Sequence, residues 1–309
     1  MKVSNIYTHL CNIIVRNSKN WSVAAALTGL SFVFGQVVWA QSAGDQLLVV
    51  ETKLAKVYAP ESGAQTYHLY AEVDGRIYET QDSSVAATAR QAAQFGQPVE
   101  LMVQVSSEMM EVVTIRVIET TDGPVSQSKA GNRDDVSAVG SYQPTDLKSI
   151  EEANQLFDSL PLAFKWHSQC YQRAMTWTYE MYTYRGINSM KAFLFFTRKF
   201  INEYHYKWWF HVTPFVYVNG VEYTLDPTFT DKPLQMQDWT NDFMIGNPVC
   251  PEIAKYSDYS NHEFDQYCYL RKVPMYYYQP ADIEREDNAG TQLQGFNRSD
   301  VNAALSKKK

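Results

Sequence analysis

The sequence predicts a mixed α+β protein with two folded units. In residues 46–119, segments rich in β-branched residues alternate with one Ala/Gln-rich segment that is typical of a helix. In residues 149–225, apolar residues recur at helical spacing and are followed by two strand-like segments around an Asn-Gly turn. Residues 121–146 lie between these regions and have no apolar periodicity, which indicates a linker.

The composition is that of a globular, acidic protein. The chain has 309 residues, of which 45% are hydrophobic and 14% aromatic, whereas a disordered chain would be poorer in aromatic residues. Its formal net charge is −7. Because nucleic-acid-binding proteins normally present a basic surface, no nucleic-acid partner is expected. The composition also excludes a collagen-like repeat, a disulfide-dense miniprotein and a polytopic membrane protein.

Residues 1–40 have the features of a secretory signal peptide. The first twenty residues contain three basic residues and no acidic one, and an almost entirely apolar run follows from Trp21 to Val38. Val38 and Ala40 stand at the −3 and −1 positions of a cleavage site. The alternative is an uncleaved anchor, since the run is nearly long enough to span a bilayer. Cleavage is favoured because no stop-transfer charges follow. The expected location is secreted or periplasmic, with membrane contact only during export.

The predicted N-terminal unit covers residues 41–120 and contains no candidate reaction centre. Asp74-Gly75 is a typical hairpin turn between two strand-like segments. Strands are predicted over 46–58, 66–80 and 99–119, and a helix over 86–95. The unit has no cysteine and one histidine, His68. We therefore expect a pro-segment or an accessory domain, with the linker 121–146 open to a maturation protease.

The predicted second unit covers residues 147–281. Helices are predicted over 149–160, from Cys170 to a stop at Gly186, and over 190–204. Residues 208–219 and 221–225 are predicted to form a hairpin around Asn219-Gly220. Residues 282–309 are polar, and a poorly ordered tail is expected there.

The cysteines predict one disulfide and one unpaired thiol. Cys11 lies in the predicted signal peptide and is removed with it. Exported proteins tend to form disulfides, and Cys250 and Cys268 lie close together in a loop-rich segment, so these two are predicted to pair. Cys170 is left over, either as a functional thiol, as an intermolecular partner or as an inert buried cysteine.

Three residues have the types and the order of a cysteine-dependent active site. Cys170 stands where a helix is predicted to begin, and the free N–H groups and dipole of a helix N-terminus favour a thiolate. His211 lies on the first strand of the predicted hairpin and Asp226 follows the second. Because the two strands are antiparallel neighbours, the histidine and the acid can meet on one face. Papain-like and transglutaminase-like cysteine enzymes have this order of cysteine, histidine and acid.

Other residues compete for these roles, and structural explanations stay open. His205 and His167 are alternative bases, and Asp231 and Glu222 are alternative acids. Asp226 also fits a turn that merely ends a strand. Three tryptophans are candidates to line a substrate cleft, although aromatic residues are more often part of a core: Trp166, Trp208 and Trp209. No cofactor and no metal site are predicted, because the sequence has no zinc-ligand spacing, no His-Glu-x-x-His and no Gly-rich phosphate loop.

Three sequence motifs resemble those of the bacterial protein-glutaminase (protein-glutamine deamidase) family. These motifs are Cys-Tyr-Gln-Arg-Ala at 170–174, Trp-Phe-His-Val at 209–212 and Leu-Asp-Pro-Thr-Phe at 225–229. The resemblance spans roughly residues 145–245. One departure is that the stretch between Cys170 and His211 has no cysteine, whereas the family pattern carries additional ones.

The resemblance implies a papain/transglutaminase-like catalytic domain, export, and a pro-region that precedes that domain. It also implies an enzyme that hydrolyses glutamine side-chain amides in proteins, with Cys170, His211 and Asp226 as catalytic triad and a thioester intermediate. The partners would be proteins or peptides with exposed glutamine. A transglutaminase or a cysteine peptidase with the same triad is the alternative, and a non-catalytic binding module with this fold is another.

Overall fold

The computed structural model describes residues 39–41, 46–61, 63–72, 74–105, 110–118, 142–165 and 168–309. Almost all of the predicted signal peptide and most of the predicted linker lie outside these residues, as do Trp166 and His167. Among the described residues, none of the helices is both long enough and apolar enough to cross a membrane.

The first unit is a sheet closed on itself with one helix packed against it. Its strands are β1 (Trp39–Gln41), β2 (Gln46–Tyr58), β3 (Tyr67–Ala71), β4 (Ile77–Thr80), β5 (Pro98–Val105) and β6 (Met110–Val117). They follow the order β1-β2-β3-β4-β6-β5, and β5 also pairs with β2, which closes the sheet. Helix α1 (Ser83–Gln94) begins after Asp82, whose side chain accepts hydrogen bonds from Ser84 N–H and Val85 N–H.

The helix and the strands predicted over 46–58 and 66–80 are confirmed within a few residues of their expected bounds, whereas the single strand predicted over 99–119 forms two antiparallel strands, β5 and β6. The Asp74-Gly75 turn joins β3 and β4, with Gly75 at a φ of 65°. The turn requires this left-handed backbone conformation, which favours glycine, and this accounts for the glycine at position 75. The core of the unit consists of small and branched apolar side chains: Leu69, Ala71, Ala89, Val99, Leu101 and Val103.

The second unit contains a six-stranded sheet with helices around it. The strands are β7 (Asp146–Leu147), β8 (Met190–Phe196), β9 (Phe210–Val218), β10 (Val221–Thr224), β11 (Leu234–Gln235) and β12 (Cys268–Pro274). The order is β11-β10-β9-β8-β12, and the short β7 pairs in parallel with β9. The helices are α2 (Ile150–Asp158), α3 (Cys170–Arg185), α4 (Arg198–Tyr204), α5 (Met236–Phe243), α6 (Tyr256–Ser260), α7 (Pro280–Ala289) and α8 (Arg298–Leu305). β9, the strand that carries His211, is therefore central, and α3 packs against it.

The prediction of a helix over 190–204 is wrong for its first half. Residues 190–196 form β8, and every residue from Lys191 to Phe196 is buried. A short apolar run has the same sequence signature in a buried helix and in a central strand. Pairing with β9 on one side and β12 on the other decides the outcome.

The prediction of a poorly ordered tail over 282–309 is also wrong. Most of α7 and all of α8 lie in this segment, and Ile283, Val301 and Ala304 belong to the same core as β8 and β9. The last residues pair with the loop that leads toward Cys170, since Lys165 N–H donates to Lys307 O at 2.7 Å. A few well-placed apolar residues in a polar segment are enough to dock it.

Candidate active site

The first candidate residue, Cys170, opens helix α3. The segment before the helix is held by two contacts: Gln169 N–H donates to Gln172 Oε1 at 2.9 Å, and Arg173 Nη1 donates to Ser168 O at 2.7 Å. Among the cysteines that the structure describes, Cys170 is the one without a disulfide, and it is half-buried. The predicted helix start is therefore confirmed, and it brings the thiol to the end of the helix.

The second and third candidates meet across the β9–β10 hairpin. His211 lies on β9, and the chain leaves β10 so that Leu225 N–H donates to Pro214 O at 2.8 Å, which directs Asp226 back toward β9. Nε2 of His211 lies 2.7 Å from Oδ2 of Asp226. Both side chains are buried, at 6% and 1% exposure. The local cause is the Asn-Gly turn, which sets the register of the two strands.

His211 also interacts with Cys170. Cys170 is among the groups that raise the pKa of His211, and because Nε2 is directed to Asp226, Nδ1 is the ring nitrogen that remains for the thiol. Burial lowers the pKa of His211, but the carboxylate of Asp226 and the hydrogen bonds to Asp226 and Cys170 outweigh it and raise the pKa to about 9. The imidazole is therefore positively charged at neutral pH.

Three aromatic rings enclose the His211 imidazole. Their centroids lie 4.8 Å away for Phe229, 4.6 Å for Phe243 and 5.8 Å for Trp239. Trp239 also donates its indole N–H to Oδ2 of Asp226 at 3.1 Å. Phe229 ends the third sequence motif, whereas Trp239 and Phe243 were not identified from the sequence. In the sequence, the apolar residues at positions 239 and 243 are four residues apart, which predicts that they share one buried face of a helix. This spacing does not predict that the face packs against His211.

His167 lies outside the described residues, and no contact places the other three alternatives, His205, Glu222 and Asp231, on the His211 imidazole. His205 is exposed at the C-terminal end of α4, with a φ of 49°. Glu222 pairs with Lys272 at 2.7 Å. Asp231 is exposed and lines an open groove of about 660 Å³ that begins at Phe229, beside the imidazole. The structure therefore brings together the residues that the motifs select, Cys170, His211 and Asp226.

The predicted substrate-binding tryptophans have different environments. Trp166 lies outside the described residues. Trp208 is half-buried, with its ring in edge contact with Tyr206 at 6.0 Å. Trp209 is buried at 1% exposure, and its indole N–H donates to Ala71 O of the first unit at 2.9 Å. In this arrangement the ring of Trp209 is part of the contact between the two units, which corresponds to the structural role that the sequence left open.

The turn of the first unit packs against the start of β9. Trp209 N–H donates to Gly75 O at 2.9 Å, and Ile77 N–H donates to Lys207 O at 2.9 Å. These backbone bonds flank an isolated antiparallel bridge between Arg76 and Trp208. The segment that the turn contacts therefore ends two residues before His211.

The predicted disulfide is confirmed. Cys250 and Cys268 are bonded, with a sequence separation of 18 residues. Cys268 begins β12, so the bond ties the loop around Cys250 to the sheet edge.

Comparisons with known proteins agree with the motif resemblance. Residues 148–243 match the family model described as Glutaminase, and the resemblance to the protein-glutaminase family is thereby confirmed for this segment. A comparison with curated proteins found no match.

Three solved structures of this family are similar to the chain. One is a crystal structure of pro-protein-glutaminase, with 13% identity over 82% of this chain and 90% of that chain and a TM-score of 0.48. A second is a crystal structure of a mutant of pro-protein-glutaminase, with 15% identity, coverage of 74% and 83%, and a TM-score of 0.46. The third is the NMR structure of protein-glutaminase from Chryseobacterium proteolyticum, with 17% identity, coverage of 32% and 65%, and a TM-score of 0.26.

Proposed function

We propose that this protein is an exported cysteine amidohydrolase that converts glutamine side chains of proteins to glutamate and releases ammonia. The observation that carries the proposal is the 2.7 Å contact between Nε2 of His211 and Oδ2 of Asp226, with Cys170 among the groups that act on the same imidazole. The family-model match over residues 148–243 supports the reaction class. The order of helix cysteine, strand histidine and next-strand acid supports a papain/transglutaminase-like catalytic domain.

The first half of the reaction forms a thioester. Cys170 acts as a thiolate paired with the His211 imidazolium, and its sulfur attacks the amide carbon of the bound glutamine. Nδ1 of His211 then donates its proton to the amide nitrogen, the carbon–nitrogen bond breaks, and ammonia leaves. Asp226 keeps Nε2 protonated and stabilises the positive imidazole throughout.

The second half of the reaction hydrolyses the thioester. His211, now neutral at Nδ1, takes a proton from water while the water oxygen attacks the thioester carbon. The carbon–sulfur bond breaks, which releases glutamate and restores the thiolate. In both halves the oxyanion needs preorganised donors, and the backbone N–H of Cys170 at the start of α3 is the candidate, since the first N–H groups of a helix have no partner within it. Loss of one such donor typically costs about 10²–10³ in rate.

We further propose that the N-terminal unit is a pro-segment that covers this site. Its turn lies along residues 207–209, and Tyr70 and Ile77 are buried in the same core as Trp209 and Phe210. Charge pairs also join the two units: Lys56–Glu263 at 3.3 Å, Arg198–Glu61 at 3.2 Å and Lys207–Glu79 at 3.5 Å. Contacts between domains that combine apolar and charged groups resemble transient protein–protein interfaces, which can dissociate. Cleavage of the chain within residues 121–141 would leave the first unit held by noncovalent contacts alone, so that it can dissociate.

The test is ammonia release from a glutamine-rich protein, with mass spectrometry of the substrate to detect conversion of Gln to Glu. Four samples are compared: the wild type and Cys170→Ala, each before and after cleavage at a specific protease site placed in residues 121–141. We expect activity in the wild type that rises after cleavage and is lost in Cys170→Ala. A wild type that releases no ammonia in either state contradicts the proposed function. Equal turnover before and after clean cleavage contradicts only the proposal that the N-terminal unit is a pro-segment covering the site.

The same samples separate the alternative activities. Incorporation of a labelled amine in place of water would identify a transglutaminase. New substrate N-termini would identify a peptidase. A wild type and a Cys170→Ala variant that bind the same partner without turnover would identify a binding module.

A further inference from the structure

The carboxylate of Asp226 binds a second donor besides His211. Its Oδ2 accepts the indole N–H of Trp239 at 3.1 Å, and the same oxygen lies 2.7 Å from Nε2 of His211. Trp239 lies on α5 and is fully buried. The motifs that define the proposed triad do not include this residue, and the reaction described above assigns it no role.

Two donors from different elements restrict the carboxylate more than one donor does. The terminal torsion of an aspartate is broad and roughly two-fold, so a single hydrogen bond leaves the carboxylate plane free to rotate. Here His211 approaches from β9 and Trp239 approaches from α5, while Asp226 itself stands in the turn after β10. The shared oxygen is therefore defined by three elements at once.

The position of Trp239 is itself well determined by packing. Its ring lies in edge contact with Phe243 at 5.3 Å, and Phe243 in turn lies 4.6 Å from the imidazole. Because both Trp239 and Asp226 are buried at 1% exposure or less, water has little access to replace the indole N–H. A hydrogen bond to a charged acceptor in such surroundings is stronger than one between neutral groups.

We propose that Trp239 is a positioning residue of this site, whose indole N–H holds the Asp226 carboxylate so that Oδ2 stays on Nε2 of His211. Holding that bond keeps the proton of the imidazole on the Asp226 side and leaves Nδ1 for Cys170. This inference rests on the proposed function for its kinetic consequence, but its structural consequence, the coupling of His211 to Asp226, stands without it.

The test compares two buried tryptophans whose indole N–H groups have different partners. Trp177 is also buried at 1% exposure, but its indole N–H donates to Pro161 O at 2.9 Å, away from the imidazole. Trp239→Phe and Trp177→Phe each remove one indole N–H and the same ring volume. A merely structural role of Trp239 predicts the same behaviour for both variants.

Two readouts are taken on the full chain with the cleavable linker. The first is the titration midpoint of the His211 imidazole by NMR, with the resonance identified by its loss in His211→Gln. The groups that act on this imidazole are Asp226 and Cys170, against the effect of burial. The second readout is kcat and KM for ammonia release as a function of pH after linker cleavage.

For Trp239→Phe we expect the His211 midpoint to fall by about one pH unit, because a carboxylate that rotates away no longer favours the imidazolium. We expect kcat to fall by about tenfold, because a carboxylate that is no longer held by the indole orients the imidazole less well for proton transfer, with KM within about twofold of the wild type. Trp177→Phe should change neither value. An unchanged or raised midpoint in Trp239→Phe, or an equal fall in Trp177→Phe, overturns the proposal.

A second substitution covers the case in which Trp239→Phe fails to fold. 3-Benzothienylalanine at position 239 keeps the size and shape of the ring and replaces the indole N–H by sulfur. The expected fall in the His211 midpoint is the same, and an unchanged midpoint overturns the proposal. If the wild type releases no ammonia, the proposed function fails, while the NMR midpoints still decide the role of Trp239.

Discussion

Oδ2 of Asp226 lies 2.7 Å from Nε2 of His211, and both groups are buried. Since burial alone favours the neutral imidazole, the raised pKa of His211 reports the electrostatic effect of its partners. The result is a buried imidazole with a raised pKa, and the half-buried Cys170 is one of the groups that act on it.

Replacing the Asp226 carboxylate should show, as a loss of ammonia-releasing activity, that Asp226 acts on His211. In Asp226→Asn the negative charge is lost, burial dominates, and the His211 midpoint should fall well below about 9. We expect kcat/KM for ammonia release to fall by roughly 10²–10⁴, the usual contribution of a positioned acid–base group. A variant with wild-type kcat/KM at every pH would contradict the assignment of Asp226.

The same substitution predicts a pH-dependent stability difference. The folded pKa of His211 is raised from 6.5 to about 9, so the stabilisation is complete below pH 6.5 and is lost as the pH rises to about 9. The difference in free energy of unfolding between the wild type and Asp226→Asn should therefore shrink by about 3 kcal/mol over this range. Urea unfolding at pH 6 and pH 9 measures it, and a difference that is independent of pH contradicts the coupling.

Gly75 should be far more sensitive to substitution than Gly220. Both have a positive φ, but a Cβ at Gly75 would lie 3.0 Å from Cε1 of Phe210, whereas a Cβ at Gly220 would meet nothing within 4 Å. We expect Gly220→Ala to cost about 1–2 kcal/mol from backbone strain alone. Gly75→Ala should cost a further 1–3 kcal/mol, roughly, from the contact with Phe210.

The two glycine variants also test the cover formed by the first unit. If the turn covers the site, Gly75→Ala should raise ammonia release by the uncleaved chain, and Gly220→Ala should not. Urea unfolding and activity are measured on the same preparations. Equal stability losses in both variants would show that the approach of Gly75 to Phe210 is not tight.

Lys191 should impose a pH-dependent cost on folding. It is buried at 1% exposure, with Nζ donating to Tyr277 O at 2.6 Å, and burial lowers its pKa from 10.5 to about 7. The penalty for the protonated form is complete below pH 7 and disappears as the pH rises to about 10.5. The stability of Lys191→Met relative to the wild type should therefore decrease with rising pH, by at most about 5 kcal/mol.

The control for this experiment is Lys255→Met, at an exposed lysine. Its stability difference from the wild type should be nearly constant across the same pH range. If Lys191→Met and Lys255→Met show the same pH profile, Lys191 is not the source of the effect.

The Cys250–Cys268 disulfide should stabilise the second unit without taking part in the reaction. It closes a loop with a sequence separation of 18 residues, for which loop entropy gives about 3 kcal/mol. The double variant Cys250→Ser, Cys268→Ser should lose about that amount in urea unfolding while keeping most of its kcat at 20 °C, roughly 70% or more. A loss of activity as large as that of Cys170→Ala would indicate a direct role for the loop.

The parts of the candidate site that the sequence predicts depend on local rules. The helix start at Cys170 and its end at Gly186 follow from residues within one helix, and the meeting of His211 with Asp226 follows from the Asn-Gly turn between their strands. Each of these features is determined by residues close together in the chain. The motif resemblance adds the reaction class, because it joins three such local features in one order.

The sequence by itself predicted the division into two units and the three candidate site residues from turn chemistry, apolar spacing and motifs, and it determined the disulfide partners because two neighbouring cysteines remain beside Cys170 in the predicted mature chain. Only the tertiary structure decided that residues 190–196 form a central strand, that the polar C-terminal segment docks as helices, and that Trp239 meets Asp226. In each of these cases the deciding partner lies on another element. Burial and pairing across the fold outweigh local preference there, because a side chain's neighbours in space are not its neighbours in sequence.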